Sequence, residues 1–229
     1  MKISTQLRDF YHARSLDFQR MVAAIGDEEN ADYEGPLLMH CWDDAYNSSD
    51  VKILFVGQET NGWNGFDRPK DKDSIDRILH HYETFRLGEK YNSTFWQSIN
   101  YINENVNSGK RLNFLWTNIL KLGRSGIGRP SDHVSRSELK YLNILGDEIA
   151  IVKPDAVVFL SGPNYDPDLK DRIPDIVFEN FEELPTRAFA KLKSSCLPLL
   201  SFRTYHPNYL RQAKKEAFLD YIINELRHS

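Results

Sequence analysis

Two cysteines in 229 residues, Cys41 and Cys196, sit in unrelated contexts. They cannot supply a disulfide framework or a cysteine-ligated cluster, and a reducing, cytoplasmic setting is the expectation. No stretch approaches the roughly 18 consecutive apolar residues that cross a bilayer, and Met1-Lys2-Ile3-Ser4-Thr5-Gln6 lacks the apolar run of a signal peptide. Internal repeats, low-complexity tracts and linkers are also missing. So is a phosphate-binding glycine loop: the segment from Gly123 to Pro130 has neither the spacing nor the lysine for one. His40-Cys41-Trp42-Asp43-Asp44 and His80-His81 place potential ligands side by side. Adjacent side chains rarely point at one ion, so no metal and no other cofactor is expected. Basic excess is absent too: the formal net charge is −4, which counts against extensive phosphate contact. Two local clusters of cations remain. Arg203, Arg211, Lys214 and Lys215 form one; Lys110, Arg111, Lys121, Arg124 and Arg129 form the other. Each is either a local basic footprint or a solvated face.

What is present is the pattern of one sizeable α/β domain. Leu7, Phe10, Phe18, Met21, Val22 and Ile25 share a face, predicting an opening helix over residues 5–25 that Gly26 ends. Residues 27–50 read as acidic and irregular. Helical spacing returns at Ile75, Ile78, Leu79, Tyr82 and Phe85, and again at Phe95, Ile99, Ile102 and Val106. Ser135-Arg136-Ser137-Glu138 reads as a capping box ahead of a stripe of Leu139, Leu142, Leu145, Ile149 and Val152. A last helix is predicted over residues 208–227. Between the helices lie short apolar runs at residues 51–56, 114–117, 156–160 and 197–204, the signature of buried strands. Strands alternating with helices imply a mostly parallel four-stranded sheet flanked by helices, a three-layer α/β domain over residues 51–229. Residues 1–50 are expected to form an N-terminal helical extension packed on that core.

In an open α/β sheet, ligands bind where the carboxyl ends of strands converge. Three of the predicted strands run out into polar residues: Gly57-Gln58-Glu59-Thr60-Asn61, Thr117-Asn118, and Arg203-Thr204-Tyr205-His206-Pro207-Asn208-Tyr209-Leu210. A carboxylate, an amide and an imidazole, distant in sequence, are thereby expected in one cleft. With Val157-Val158-Phe159-Leu160-Ser161-Gly162 as a third strand and its glycine, these segments resemble, in order, the motifs of the uracil-DNA glycosylase superfamily over roughly residues 50–229. The resemblance implies that fold and a monofunctional DNA glycosylase acting as a monomer. Such an enzyme hydrolyses the N-glycosidic bond of a flipped, deaminated or damaged base in DNA. It implies catalytic roles for Glu59 at the sugar or its water and for His206 at the base oxygen. Asn118 would read the base edge, the backbone N–H groups of Gln58 and Glu59 would point at the base, and Phe66 or Trp63 would stack on it. On the DNA side, Leu210 takes the position of a leucine that wedges into the base stack, and Arg203, Asn208 and Arg211 would face the strand.

The chemistry of these side chains fits such a reaction independently. Bond cleavage builds positive charge on the sugar and negative charge on the base, and oriented dipoles in a dry site stabilise both. An asparagine amide offers coplanar donors and an acceptor. The chain departs from typical members in four places: Glu59 stands for aspartate, Thr60 for proline, Asn61 for a tyrosine that excludes thymine, and Asn208 for serine. A longer acid arm, a looser loop and relaxed uracil selectivity follow as expectations. A structural account competes at each position. Glu59 can cap a helix, His206 can be tied to backbone, Asn118 can serve a turn, Trp63 and Phe66 can fill the core, Leu210 can belong to the inner helix stripe, and Arg203 can pair with an acid. At the level of the whole protein the competitor is a binding module, with weakened chemistry, for a nucleic acid or nucleotide.

Overall fold

The computed structural model describes residues 1–26, 33–63, 74–108, 111–126 and 128–228. Its frame is a six-stranded mixed sheet. The strands are β1 (Ile53–Gly57), β2 (Leu115–Asn118), β3 (Ala156–Phe159), β4 (Val177–Asn180), β5 (Phe189–Lys193) and β6 (Leu200–Thr204), in the order β2-β1-β3-β6-β5-β4. The four strands β2, β1, β3 and β6 are parallel neighbours; β5 runs antiparallel to both β6 and β4. Each residue of β1, β2 and β3 is buried, which is why these strands read as unbroken apolar runs: helices cover both faces.

The expectation of four strands is therefore corrected to six. The extra pair escapes sequence reading because β4 is an edge strand with no buried residue, and its Phe178-Glu179-Asn180 carries polar groups on a half-exposed ribbon. Edge strands are short and polar because an apolar open edge invites pairing with other chains.

The helices, in chain order, are α1 (Ile3–Ala13), α2 (Ser15–Gly26), α3 (Asp43–Asn47), α4 (Ser74–Phe85), α5 (Thr94–Val106), α6 (Asp132–Tyr141), α7 (Leu145–Val152), α8 (Asp166–Arg172), α9 (Pro207–Gln212) and α10 (Ala217–Arg227). Three predicted helices are each two. The opening helix breaks at Arg14, the middle stripe breaks between Tyr141 and Leu145, and the last helix breaks between Gln212 and Ala217, where Lys214 takes a positive φ of 54°. The expected capping box is also displaced. Ser131, not Ser135, caps α6, its Oγ accepting from the Val134 N–H at 3.3 Å. Glu138 instead points inward and is fully buried.

The N-terminal helices are part of the core. Leu7, Tyr11, Phe18, Met21 and Ile25 join the same buried cluster as the strand residues. A polar knot fastens them: the Tyr11 hydroxyl donates to Glu148 Oε1 at 2.7 Å and accepts from the Met39 N–H at 3.1 Å. No described helix is long and apolar enough to cross a membrane.

Candidate active site

Pairing register aligns the strand ends. Gly57 sits opposite Asn118, Val56 opposite Phe159, and Phe159 opposite Arg203. Gln58 and Glu59, Asn118, Ser161 and Gly162, and Tyr205 and His206 therefore all emerge from one edge of the sheet. The chain runs from β1 to β2 on one side and then crosses to β3 on the other, so β1 and β3 flank the switch in strand order, where α/β sheets open a crevice. Gln58 bridges that switch: its Nε2 donates to the Ser161 carbonyl at 2.6 Å. Its side chain is committed to structure, and its own carbonyl accepts from the Leu120 N–H at 2.9 Å.

Asn118 lies across the end of β1. A Cβ placed on Gly57 would come within 2.3 Å of Asn118 Oδ1 and 3.2 Å of Phe95 Cζ, so only glycine lets the amide lie there. Asn118 is 2% exposed, and its Nδ2 has no hydrogen-bond partner among the described residues. A buried amide donor left unpaired costs about 1–3 kcal/mol, so this nitrogen is poised for an acceptor that a ligand would bring. The account of Asn118 as an ordinary turn residue leaves that donor unexplained.

His206 caps α9, its Nδ1 accepting from the Asn208 N–H at 3.3 Å. Burial pushes the imidazole pKa down to about 4, so the ring is neutral at physiological pH. With Nδ1 accepting, the ring proton belongs on Nε2, which leaves one N–H to donate. Phe95 stacks on the ring with centroids 5.6 Å apart and planes 12° from parallel. Because Phe95 also reaches over Gly57, it connects Asn118 and His206 into one surface.

Glu59 is half-buried. The Tyr165 hydroxyl donates to its Oε2. Burial raises the Glu59 carboxyl above the usual carboxylate range, against the pull of Tyr165 and of the nearby Arg129 guanidinium. Thr60, which stands where typical members have proline, is itself anchored. Thr60 is buried and its Oγ1 donates to the Glu34 carbonyl at 3.1 Å. Gly123 packs so close that a Cβ there would fall 1.9 Å from the Thr60 carbonyl oxygen.

Several other expected site residues are packed inside the protein. Trp63 is buried at 4% exposure and packs in the core among His81, Tyr82, Phe85 and Trp116, with ring centroids 4.5–6.2 Å away. Phe66 falls outside the described residues, as does Lys110. Arg203 is not on the surface. It is fully buried, with Nε and Nη2 each 2.9 Å from the Asp166 carboxylate and further bonds to the Thr186 and Arg187 carbonyls. Leu210 is fully buried in the inner stripe, so it does not project as a wedge. Lys121 is likewise buried, its Nζ 2.5 Å from Glu148 Oε2. Asn208 and Arg211 are exposed, and Arg211 donates to Gln97 Oε1 at 2.6 Å.

Two site residues escaped sequence reading. Phe95 counts there only as the first apolar position of a helix, and Tyr165 carries no local signal at all. Their partners lie 111 and 106 residues away, respectively, so only the folded sheet brings them together. A separate cleft of about 440 Å³, lined by residues including Lys2, His40, Trp42, Asp43 and Arg111, contains none of these groups. Among the described residues, no group of three or more His, Cys, Asp or Glu side chains is placed to hold a metal ion.

Neither a protein-family model nor a curated protein sequence matches the chain.

Proposed function

We propose that the protein is a DNA glycosylase of the uracil-DNA glycosylase type, hydrolysing the N-glycosidic bond of a flipped, deaminated or damaged base. The observation that carries this reading is the buried Asn118 amide. Its Nδ2 lacks a partner among the described residues, and it lies beside the Phe95–His206 stack at the strand-switch edge of the sheet. A planar ligand with a carbonyl on its edge would satisfy that donor.

In the proposed reaction the bond from the sugar C1′ to the base nitrogen breaks and the base leaves with the electron pair. Water oxygen bonds to C1′, and the water proton balances the charge on the base. His206, neutral with its proton on Nε2, donates a hydrogen bond to the base oxygen as charge collects there. Glu59 supports the sugar cation or orients the water. Asn118 holds the base edge. Stabilisation by fixed dipoles of this kind is worth roughly 100- to 1,000-fold in rate for a single donor.

A base-release screen tests the proposal. It uses oligonucleotides carrying uracil, hypoxanthine, xanthine or a thymine mismatch. The expected result is release from at least one of them, reduced about 100-fold or more in Asn118→Ala and in His206→Ala, with thermal melting within a few degrees of the parent. Absence of release from all four, or undiminished turnover by both variants, defeats it.

One observation favours a second reading, a base- or nucleotide-binding module on the same frame. Two of the four residues expected to meet DNA, Arg203 and Leu210, are buried. Tight binding of a base or nucleotide without release from any oligonucleotide would select it.

A further inference from the structure

We propose that Tyr165 is the positioning residue for Glu59, fixing the longer acid arm of this chain at the place where the sugar of a flipped nucleotide would lie. The inference rests on the glycosylase reading and adds a residue to it.

Glu59 has one more methylene than the aspartate of typical members, and so one more rotatable bond to fix. A free arm of that length spreads its carboxylate over more than an ångström. A misplacement of about 1 Å at a reacting centre can cost on the order of 100-fold in rate. Tyr165 removes that freedom. It belongs to a 3₁₀ turn, Pro163–Tyr165, that follows β3 directly, and its hydroxyl reaches across the strand switch to Glu59 Oε2. The tyrosine is itself held. It is 6% exposed, and its N–H donates to the Gly162 carbonyl at 3.3 Å. The Arg129 guanidinium lies 4.6 Å from the ring centroid. Arg129 is clamped in turn by two bonds to Asp168, at 2.9 and 2.8 Å, from α8 immediately after the turn. The support runs Asp168, Arg129, Tyr165, Glu59, each placed by the one before. The contact engages Oε2, and the carboxylate is further anchored by its own backbone N–H.

Among the described residues, the charged and titratable groups acting on Glu59 are Tyr165, Arg129 and Asp168; the first two lower its pKa and the third raises it. Losing the Tyr165 hydroxyl therefore raises the Glu59 pKa further. A reaction that uses the ionised carboxylate then fails at a higher pH on its acid side.

The experiment compares the full-length parent, Tyr165→Phe, Glu59→Ala and the double variant in single-turnover base release across pH, with melting temperatures as the control for folding. The expected result for Tyr165→Phe is a rate about 10- to 100-fold lower with little change in substrate KM, and an acid limb displaced to higher pH. In the double variant the loss equals that of Glu59→Ala alone, because Tyr165 acts only through Glu59. An active parent whose Tyr165→Phe variant keeps its rate and acid limb overturns this role alone, as does a double variant whose losses multiply. A parent that releases no base from any substrate overturns the glycosylase reading, and this role with it.

Discussion

The protonation state of His206 is set by what surrounds it. Burial, with Phe95 laid against the ring, makes the imidazolium expensive and brings its pKa to about 4 against an ordinary 6.5. In the unfolded chain the same ring takes up a proton near pH 6.5. Between those values the unfolded state holds a proton that the folded state lacks, so stability rises with pH across this window and is lost as pH falls through it. One such group contributes a slope of at most about 1.4 kcal/mol per pH unit. Urea unfolding at pH 4.5, 5.5 and 7 is expected to give a shallower dependence for His206→Gln than for the parent. Some slope remains in the variant, because burial also lowers the pKa of His40 and His81. Equal slopes in the two proteins would mean that the ring is solvated. The same residue shows how far a sequence carries. The His-Pro pair after a strand marks the position, and the structural account of it is met: the ring is tied to the backbone N–H of Asn208, and that tie places its proton on Nε2.

Among the elements, what sequence reading captured and what it missed divide by burial. β1, β2 and β3 are buried throughout and legible as apolar runs, and the polar residues that end β1, β2 and β6 mark the candidate site. β4 escaped because a half-exposed ribbon mixes polar and apolar residues in no decisive period, and β5 escaped although Phe189, Ala190 and Leu192 are buried, because Lys191 and Lys193 interrupt so short a run. Broken helices were read as whole because both halves keep their apolar faces on one core, so the 3.6-residue stripe continues through the break. Arg203 shows the cost of reading charge without burial. On β6 it looks like a cation beside the site, but it is the bolt that holds β6 to α8 and to the segment before β5, through Asp166 and the Thr186 and Arg187 carbonyls. Removing one partner of a buried ion pair typically costs about 3–5 kcal/mol. Arg203→Met is expected to lose stability of that order in urea unfolding, whereas Arg211→Met, at an exposed site, stays within about 0.5 kcal/mol of the parent. Were Arg203 a phosphate contact, its loss would spare stability and flatten the salt dependence of DNA binding instead.

Across the whole molecule, a buried polar network joins the N-terminal helices to the segment that carries Asn118. Glu148 on α7 accepts from Tyr11 on α1, from the Thr117 hydroxyl of β2 and from the Lys121 ammonium. Glu138 on α6 accepts from the backbone N–H groups of Lys121 and Leu122 and from Arg172 on α8. The turn after Asn118 is thus gripped from α1, α6, α7 and α8 by groups that are at most 7% exposed. Low dielectric makes each of these bonds strong and each missing partner costly. Tyr11→Phe keeps the ring and deletes one hydroxyl, leaving Glu148 Oε1 without that donor and the buried Met39 N–H without its acceptor. The expected cost is about 1–3 kcal/mol. Because Tyr11 sits in the common core cluster, the loss should lower the midpoint of a single unfolding transition with its denaturant slope unchanged. An early, separate transition confined to the first helices, seen by hydrogen exchange at residues 3–26, would mean instead that the N-terminal segment is an appendage. The grip on the Asn118 turn would then have to come from α6, α7 and α8 alone.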